Sequence, residues 1–194
     1  MPVDVVIVNY NGGGCLVECL RSLRELIAND TVVRVVDNAS TDGSDKLVPT
    51  DDPRFHLIRL ERNMGFAKAN NIGAKMGQGD VIHFLNPDTI CLKGMDELYA
   101  GRIEVASNIL YSTAVLNPDG TRYPARHTMP MIADTVKRLC PLLGHPRFWS
   151  QGSSIVLRRT FFEALGGWPE DYFMYAEDLD LSWKANLIGK GTAD

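Results

Sequence analysis

The sequence predicts an α/β domain with a mostly parallel central sheet flanked by helices, and three observations carry that prediction. Apolar, β-rich runs alternate with helix-periodic segments through residues 1–90. The runs are apolar at nearly every position, the pattern of strands covered on both faces by crossover helices. Three of them lead to polar residues, Asn9, Asp37 and Asp88, which parallel pairing gathers on one sheet edge.

The first strand spans residues 3–8, where "VDVVIV" runs into the turn "NYNGGG". A helix follows over residues 16–27, because Leu16, Leu20, Leu23 and Ile27 recur at three- and four-residue intervals and form one apolar stripe. The second strand, residues 32–36, ends at "DNASTDGS", a string of turn-forming side chains. A third strand is placed at residues 55–60. The next segment, "NMGFAKANNIGAKMG", opens with Gly65 and sets Phe66, Ala69, Ile72, Gly73 and Met76 at helical spacing. The fourth strand, "VIHFL", is cut off by "NPDT", where Pro87 holds Asn86 extended. Further strands are expected over residues 109–116 and 153–157, with a weak helical pattern over residues 132–139 between them. A last helix begins near Ala176: Leu179, Trp183 and Leu187 recur every four residues behind Glu177, Asp178 and Asp180, and acids in a first turn suit the helix dipole.

With 194 residues, 45% hydrophobic and 23% charged, the chain suits one domain with a real core. A net charge of −4 without a Lys/Arg block argues against nucleic acid as the main partner. No apolar stretch approaches the roughly 20 residues of a membrane span, and "MPVDVVIVNYNG" lacks the basic and then apolar order of a secretory leader. The expectation is a cytoplasmic chain able to dock at the inner face of a membrane. Cys15, Cys19, Cys91 and Cys140 form no CxxC pair and no Cys/His zinc spacing, so reduced, mostly buried thiols are expected.

Ligands of open parallel sheets sit beyond the carboxyl ends of the strands, which singles out four clusters. Asn9, Tyr10 and Asn11 with Asp37, Asn38 and Ser40 could hold a nucleobase through a carboxylate and a flat ring, or could simply be an Asx-turn. Arg62, Asn63, Gly65, Asn70 and Asn71 surround a helix start, a place that suits anions as well as plain capping. Asp88 is either a turn cap or a metal carboxylate, since a hard divalent cation carrying phosphates needs only one or two protein oxygens. The fourth cluster, "WPEDYFMYAEDLDLSWK", sets carboxylates among aromatic side chains, where lost hydration can raise a carboxyl pKa toward that of a base. A capped helix whose acids face water accounts for it equally, with Trp168, Tyr172 and Phe173 as core or lid residues.

In this order, "VVIVNYNG", "VVDNASTDGS", "RNMGFAKANNIG", "VIHFLNPDT" and "GSSIVLRRTFFEALGGWPEDYFMYAEDLDLSWK" closely resemble family 2 glycosyltransferases of the GT-A fold, nearest to their bacterial rhamnosyltransferase-like branch. The resemblance runs over residues 3–190. It implies a nucleotide-diphospho-sugar transferase fold and inverting transfer of a sugar from a UDP- or dTDP-linked donor to a hydroxyl of a glycan or lipid-linked saccharide. Carried over position by position, it implies that Asn9 and Tyr10 flank the nucleotide, that Asp37 accepts from the pyrimidine ring, and that Asn38 and Asn70 lie on the nucleotide side. Asp88 takes the last acidic place of a DxD-like motif for a divalent metal, Mn2+ or Mg2+. Asp178 matches the general base, and Glu177 holds the acceptor or orients that base. Gly152, Trp168 and Glu177 fall on the acceptor or donor-sugar side.

Two departures accompany the resemblance. Asn86 stands in the first place of the metal motif, and neither His127 nor His145 matches the histidine that follows the last helix in similar proteins. Residues 1–194 therefore read as one catalytic domain, minimal or shortened at its C-terminus. A sugar nucleotidyltransferase is a rival reading, although "NYNGGG" lacks its basic signature, and so is a module that binds nucleotide or sugar without turnover.

Overall fold

The computed structural model describes residues 1–124, 126–128, 148–190 and 192–193. The helical pattern over residues 132–139, Cys140 and His145 lie outside the described residues. β1 (Val3–Asn9) is buried at every position and, among the described residues, lies between β4 and β2 in the interior of a seven-stranded sheet. After it come α1 (Gly13–Leu26), β2 (Val32–Asp37), β3 (Phe55–Arg59), α2 (Phe66–Lys75), β4 (Val81–Leu85) and α3 (Met95–Tyr99). β5 (Leu110–Ser112) precedes two small antiparallel pairs, β6 (Val115–Leu116) with β7 (Arg122–Tyr123), and β8 (Arg126–Thr128) with β9 (Phe148–Ser150). β10 (Ser154–Arg158), α4 (Arg159–Ala164), α5 (Glu177–Ile188) and β11 (Thr192–Ala193) follow.

The strand order is β11-β5-β10-β4-β1-β2-β3. β2 and β4 both run parallel to β1, one on each side, while β10 runs antiparallel to β4. The chain thus moves outward from β1 to β3 and returns to the far side of β1 with β4. Such a reversal opens a crevice beyond the carboxyl ends of β1 and β4. Because β10 is reversed, its first residues, not its last, reach that same edge.

The two faces have separate cores. On one, Leu16, Leu20, Leu23 and Ile27 of the α1 stripe and its C-cap pack on Val3, Val5, Ile7, Val33 and Val35, all buried as the spacing predicts. On the other, α2 lies on Val6, Val8 and Val36. Its buried face is Ala67, Ala69, Asn70, Gly73 and Ala74, and Met76, expected inside, is exposed. Small residues bring this helix close: a Cβ on Gly73 would stand 2.5 Å from a Val6 methyl.

Two further expectations are corrected. The strand expected over residues 109–116 is split, because β5 joins the main sheet while β6 pairs with β7 in a hairpin. In α5 the buried face is Leu181, Ser182 and Ala185, whereas Trp183 and Leu187 of the expected stripe are exposed. That helix is apolar on several sides, so a four-residue repeat alone does not identify the inner one. Among the cysteines, Cys19 is buried and Cys91 half-buried, but Cys15 is exposed. Among the described residues no helix is long and apolar enough to cross a membrane.

Candidate functional site at the strand ends

Parallel registry sets Asn9 opposite Asp37 at the ends of β1 and β2. Asn9 is fully buried, and its amide N–H groups reach Asp37 Oδ1 at 2.8 Å and Ser44 Oγ at 2.8 Å, while its Oδ1 accepts from Gly12 N at 3.2 Å. The second Asp37 oxygen accepts from Ser40 N at 3.1 Å. Asn9 therefore sets the orientation of the Asp37 carboxylate from below. Tyr10 is half exposed, on the open side of the same turn. Asn11, in the left-handed region at φ 54°, ties this turn to the next loop by accepting from Thr41 N at 2.8 Å. The hydroxyl and N–H of Ser44 hold the Asp42 carboxyl below the usual range.

Asn38 extends the network toward α2. Its Nδ2 donates to Asn63 Oδ1 at 2.8 Å, and its Oδ1 accepts from Met64 N at 2.8 Å. Gly65 then turns with φ +83°, and a Cβ there would lie 2.5 Å from the Phe173 carbonyl oxygen. That carbonyl accepts from Phe66 N at 3.1 Å. The start of α2 is thus capped by a distant loop, which favours capping, one of the two alternatives the sequence left open at this helix end. Asn70 is buried and donates back to Phe66 O at 3.1 Å, so its amide works within the helix. The neighbouring Asn71, not singled out beyond its cluster, fixes residues 168–170: it donates to Trp168 O at 2.9 Å and Glu170 Oε1 at 2.9 Å, and accepts from Trp168 N at 2.9 Å.

At the exit of β4, Asp88 is exposed and has no hydrogen-bond or ion-pair partner among the described residues. Asn86 N donates to Ser153 O at 2.9 Å, which fastens this exit to the head of β10, and Asn86 Oδ1 is buried with no partner among the described residues. A free carboxylate and an unsatisfied amide oxygen on one strand exit fit a hard divalent cation that draws the rest of its shell from phosphate and water. Among the described residues no group of three or more His, Cys, Asp or Glu forms a closed metal cage.

The opposite wall is the start of α5. Asp178 accepts from Gly152 N through Oδ2 at 2.9 Å and from Leu179 N through Oδ1 at 2.8 Å. A carboxylate has about four lone-pair directions, so two remain for a ligand. Tyr175 and Ala176, just before it, both have φ 71°. Consecutive left-handed residues other than glycine cost about 1–3 kcal/mol each and gather at functional sites. Glu177 is 7% exposed, and burial, followed by the Asp178 charge, pushes its carboxyl up. Trp168, which the resemblance places on the acceptor or donor-sugar side, lies in the core at 1% exposure, edge-on to Phe66 and Phe84 at 5.4 and 5.3 Å, one of the two places its chemistry allowed. A cavity of about 510 Å³ beside α1, lined by Glu18, Arg21, Cys91 and Lys93 among others, contains none of these residues.

The sequence model of Glycosyl transferase family 2 matches residues 4–166. The chain belongs to this family. A similar relative is the N-acetylglucosaminyl-diphospho-decaprenol L-rhamnosyltransferase of Mycobacterium tuberculosis, 29% identical over an alignment that covers 96% of this chain and 71% of that enzyme. It agrees with the rhamnosyltransferase-like branch expected from the motifs. Among solved structures, S. aureus TarS in complex with UDP-GlcNAc superposes with a TM-score of 0.71 at 23% identity, covering 100% of this chain and 56% of that one. The mannosyltransferase PcManGT of Pyrobaculum calidifontis, in complex with GDP-Man and Mn2+, gives a TM-score of 0.72 at 22% identity, covering 99% and 54%. The fold is therefore the GT-A fold, and the chain spans a little over half the length of these two solved structures.

Proposed function

We propose that the chain carries the catalytic centre of an inverting, metal-assisted glycosyltransferase, which moves a sugar from a UDP- or dTDP-linked donor to a hydroxyl of a glycan or lipid-linked saccharide. The observation that carries the reading is the Asp178 carboxylate, held by Gly152 N–H at the head of β10 on the same strand-end edge as Asp37 and Asp88. In this reading Asp37, oriented by Asn9, accepts from the pyrimidine base, with Tyr10 packing beside it and Asn38 and Asn70 shaping the nucleotide wall. Asp88, with Asn86 Oδ1 beside it, would hold Mn2+ or Mg2+, which when bound supplies Lewis-acid stabilisation to a departing diphosphate.

Transfer is one displacement. Asp178 takes the proton of the acceptor hydroxyl as its oxygen bonds to the anomeric carbon, and the anomeric C–O bond breaks with its electron pair leaving on the diphosphate. The two backbone N–H groups on Asp178 fix where that proton is received. Glu177, beside it, orients the acceptor or the base. The loop before α5 exposes Phe173, Met174 and Tyr175 at 64%, 55% and 79%, an apolar margin that suits a lipid-linked acceptor at the cytoplasmic face of a membrane.

The test is transfer and binding with a panel of nucleotide sugars, with and without Mn2+ or Mg2+. Asp178→Asn should lower transfer by about 10²–10⁴-fold, the range of a general base, while leaving nucleotide affinity nearly intact. Absence of nucleotide-sugar binding, together with an Asp88→Ala chain that behaves like the unsubstituted one, would refute the reading.

A further inference from the structure

The loop between α4 and α5 takes its fixed points from α2. Gly166 and Gly167, with φ +82° and +78°, turn the chain out of α4. At Trp168 the ring enters the core, and the backbone is paired by Asn71 of α2. Asn71 Nδ2 donates to Trp168 O and to Glu170 Oε1, both at 2.9 Å, and Asn71 Oδ1 accepts from Trp168 N at 2.9 Å. Both N–H directions of the amide and its oxygen are thus in use. A Cβ on Gly167 would stand 2.9 Å from that oxygen, so only glycine admits so close an approach. Lys68 Nζ lies 3.7 Å from Glu170 Oε2, and Phe66 N donates to Phe173 O at 3.1 Å. Among the described residues, every hydrogen bond or ion pair that residues 168–175 make with the rest of the chain goes to α2.

Packing cannot replace these bonds. From Glu170 to Ala176 every residue is exposed, so burial fixes the loop at Trp168 and again only at Glu177. Between those points lies the strained pair Tyr175 and Ala176, and Asp178 follows it directly. A loop released from α2 relaxes at that pair and carries the Asp178 carboxylate with it. Misplacing a reacting group by about 1 Å can cost roughly 10²-fold in rate.

Resting on the reading of Asp178 as the base, we propose that Asn71 is a positioning residue for transfer: by pairing the Trp168 backbone it holds the loop that enters α5, and with it the Asp178 carboxylate, in place against the nucleotide-side helix. Turnover then depends on Asn71, and nucleotide affinity does not.

The experiment compares the full chain with Asn71→Ala, Asp178→Asn and the double variant, with near-UV circular dichroism as the check on fold. Alanine suits a helix position, and Glu170→Ala, at an exposed residue, removes part of the same clamp should Asn71→Ala fail to fold. Three quantities are read: amide hydrogen exchange, affinity for UDP and dTDP with Mg2+ present, and release of UDP or dTDP from their hexose conjugates. In that release water is the acceptor, its oxygen bonding to the anomeric carbon while its proton passes to Asp178 and the diphosphate leaves with the electron pair. Asn71→Ala should speed exchange at the Phe66 and Gly152 amides about tenfold, the worth of one hydrogen bond, and leave the β1 amides unchanged. Release should slow about tenfold with nucleotide affinity intact, and adding Asn71→Ala to Asp178→Asn should slow it no further, because the two act through one carboxylate. Glu170→Ala should show the same pattern at smaller size. Unchanged exchange at Phe66 and Gly152, an equal loss of affinity and release, or a loss that adds in full to that of Asp178→Asn overturns the positioning role and leaves the base reading standing. If Asp178→Asn releases diphosphate as fast as the unsubstituted chain, or if that chain neither binds nor turns over any conjugate, the base reading fails and the positioning role falls with it.

Discussion

His83 should make the stability of this protein depend on pH in a window that can be calculated. It sits in the middle of β4, fully buried, with Nδ1 at 3.0 Å from the Tyr99 hydroxyl and Nε2 at 2.8 Å from Ser154 Oγ. Ser154 Oγ accepts from Thr113 Oγ1 at 2.6 Å, and Cys91 Sγ lies 3.5 Å from the Tyr99 hydroxyl, so a polar chain crosses the sheet interior. Hydroxyls can turn to meet either tautomer, and hydrogen bonding alone would also tolerate an imidazolium. Burial does not, and it pushes the His83 pKa from 6.5 down to about 3. The unfolded chain therefore binds a proton below pH 6.5 that the folded chain refuses. Stability from this group is complete above that value and is lost as the pH falls toward 3, at about 1.4 kcal/mol per pH unit once the unfolded imidazole is charged. Between pH 6.5 and pH 4.5 this amounts to roughly 2–3 kcal/mol, a large share of a typical domain's stability.

The assay is urea unfolding followed by tryptophan fluorescence at several pH values, for the unsubstituted chain and for His83→Gln. Gln retains a donor and an acceptor but does not titrate, so the carboxylates common to both proteins cancel in the difference. The unsubstituted chain should lose stability more steeply over this window. Parallel pH profiles would show that His83 accepts a proton in place, and the burial argument would be wrong.

Asp4, buried in β1, accepts from Arg34, from Arg159 Nη2 at 2.6 Å and from Gly79 N at 2.6 Å, so Asp4→Ala leaves two partly buried guanidinium groups unpaired and should cost about 3–5 kcal/mol in urea unfolding. Gly65→Ala places a methyl against the Phe173 carbonyl at a positive φ, and should expose the Phe66 amide to hydrogen exchange while leaving the β1 amides protected. Glu177→Gln should raise the melting temperature at neutral pH and not at pH 4, because a raised carboxyl contributes its stability below its unfolded value and loses it as the pH rises through the folded one.

What was legible in the sequence depended on whether one local pattern decided the outcome. β1, β2 and β4 are continuous apolar runs, and α1 has a single stripe, so period and length were enough. The strand-end clusters followed from the parallel-sheet rule, which needs only the order of elements. The reversal of β10 was not legible, since "SIVLR" has the same composition as its parallel neighbours and direction is set by the chain's route back to the sheet. α4 was missed because its six residues follow β10 without a break or a capping side chain. The resemblance placed Trp168 on the sugar side and Asn9 beside the nucleotide, but burial is a tertiary property, and it puts Trp168 in the core, one of the two places its chemistry allowed, and Asn9 beneath Asp37. The importance of Asn71 had no sequence signal, because it acts through Trp168 and Glu170, remote in sequence and brought to it only by packing.

The two halves of the site are joined by hydrogen bonds rather than by apolar contact alone. From Asp37 the path runs to Asn38, then to Asn63 and Met64, across Phe66 N–H to the Phe173 carbonyl, and along that loop to Asp178. The strained pair Tyr175 and Ala176 lies on this path. Its cost of about 1–3 kcal/mol per residue is offset by bonds on both sides, Phe66 to Phe173 before it and Gly152 to Asp178 after it. Removing either bond leaves the strain without support, and the backbone nearest Asp178 then has least reason to keep its shape. The position of the Asp178 carboxylate, which follows a strained turn, thus depends on Asn38, the residue after Asp37 at the end of β2.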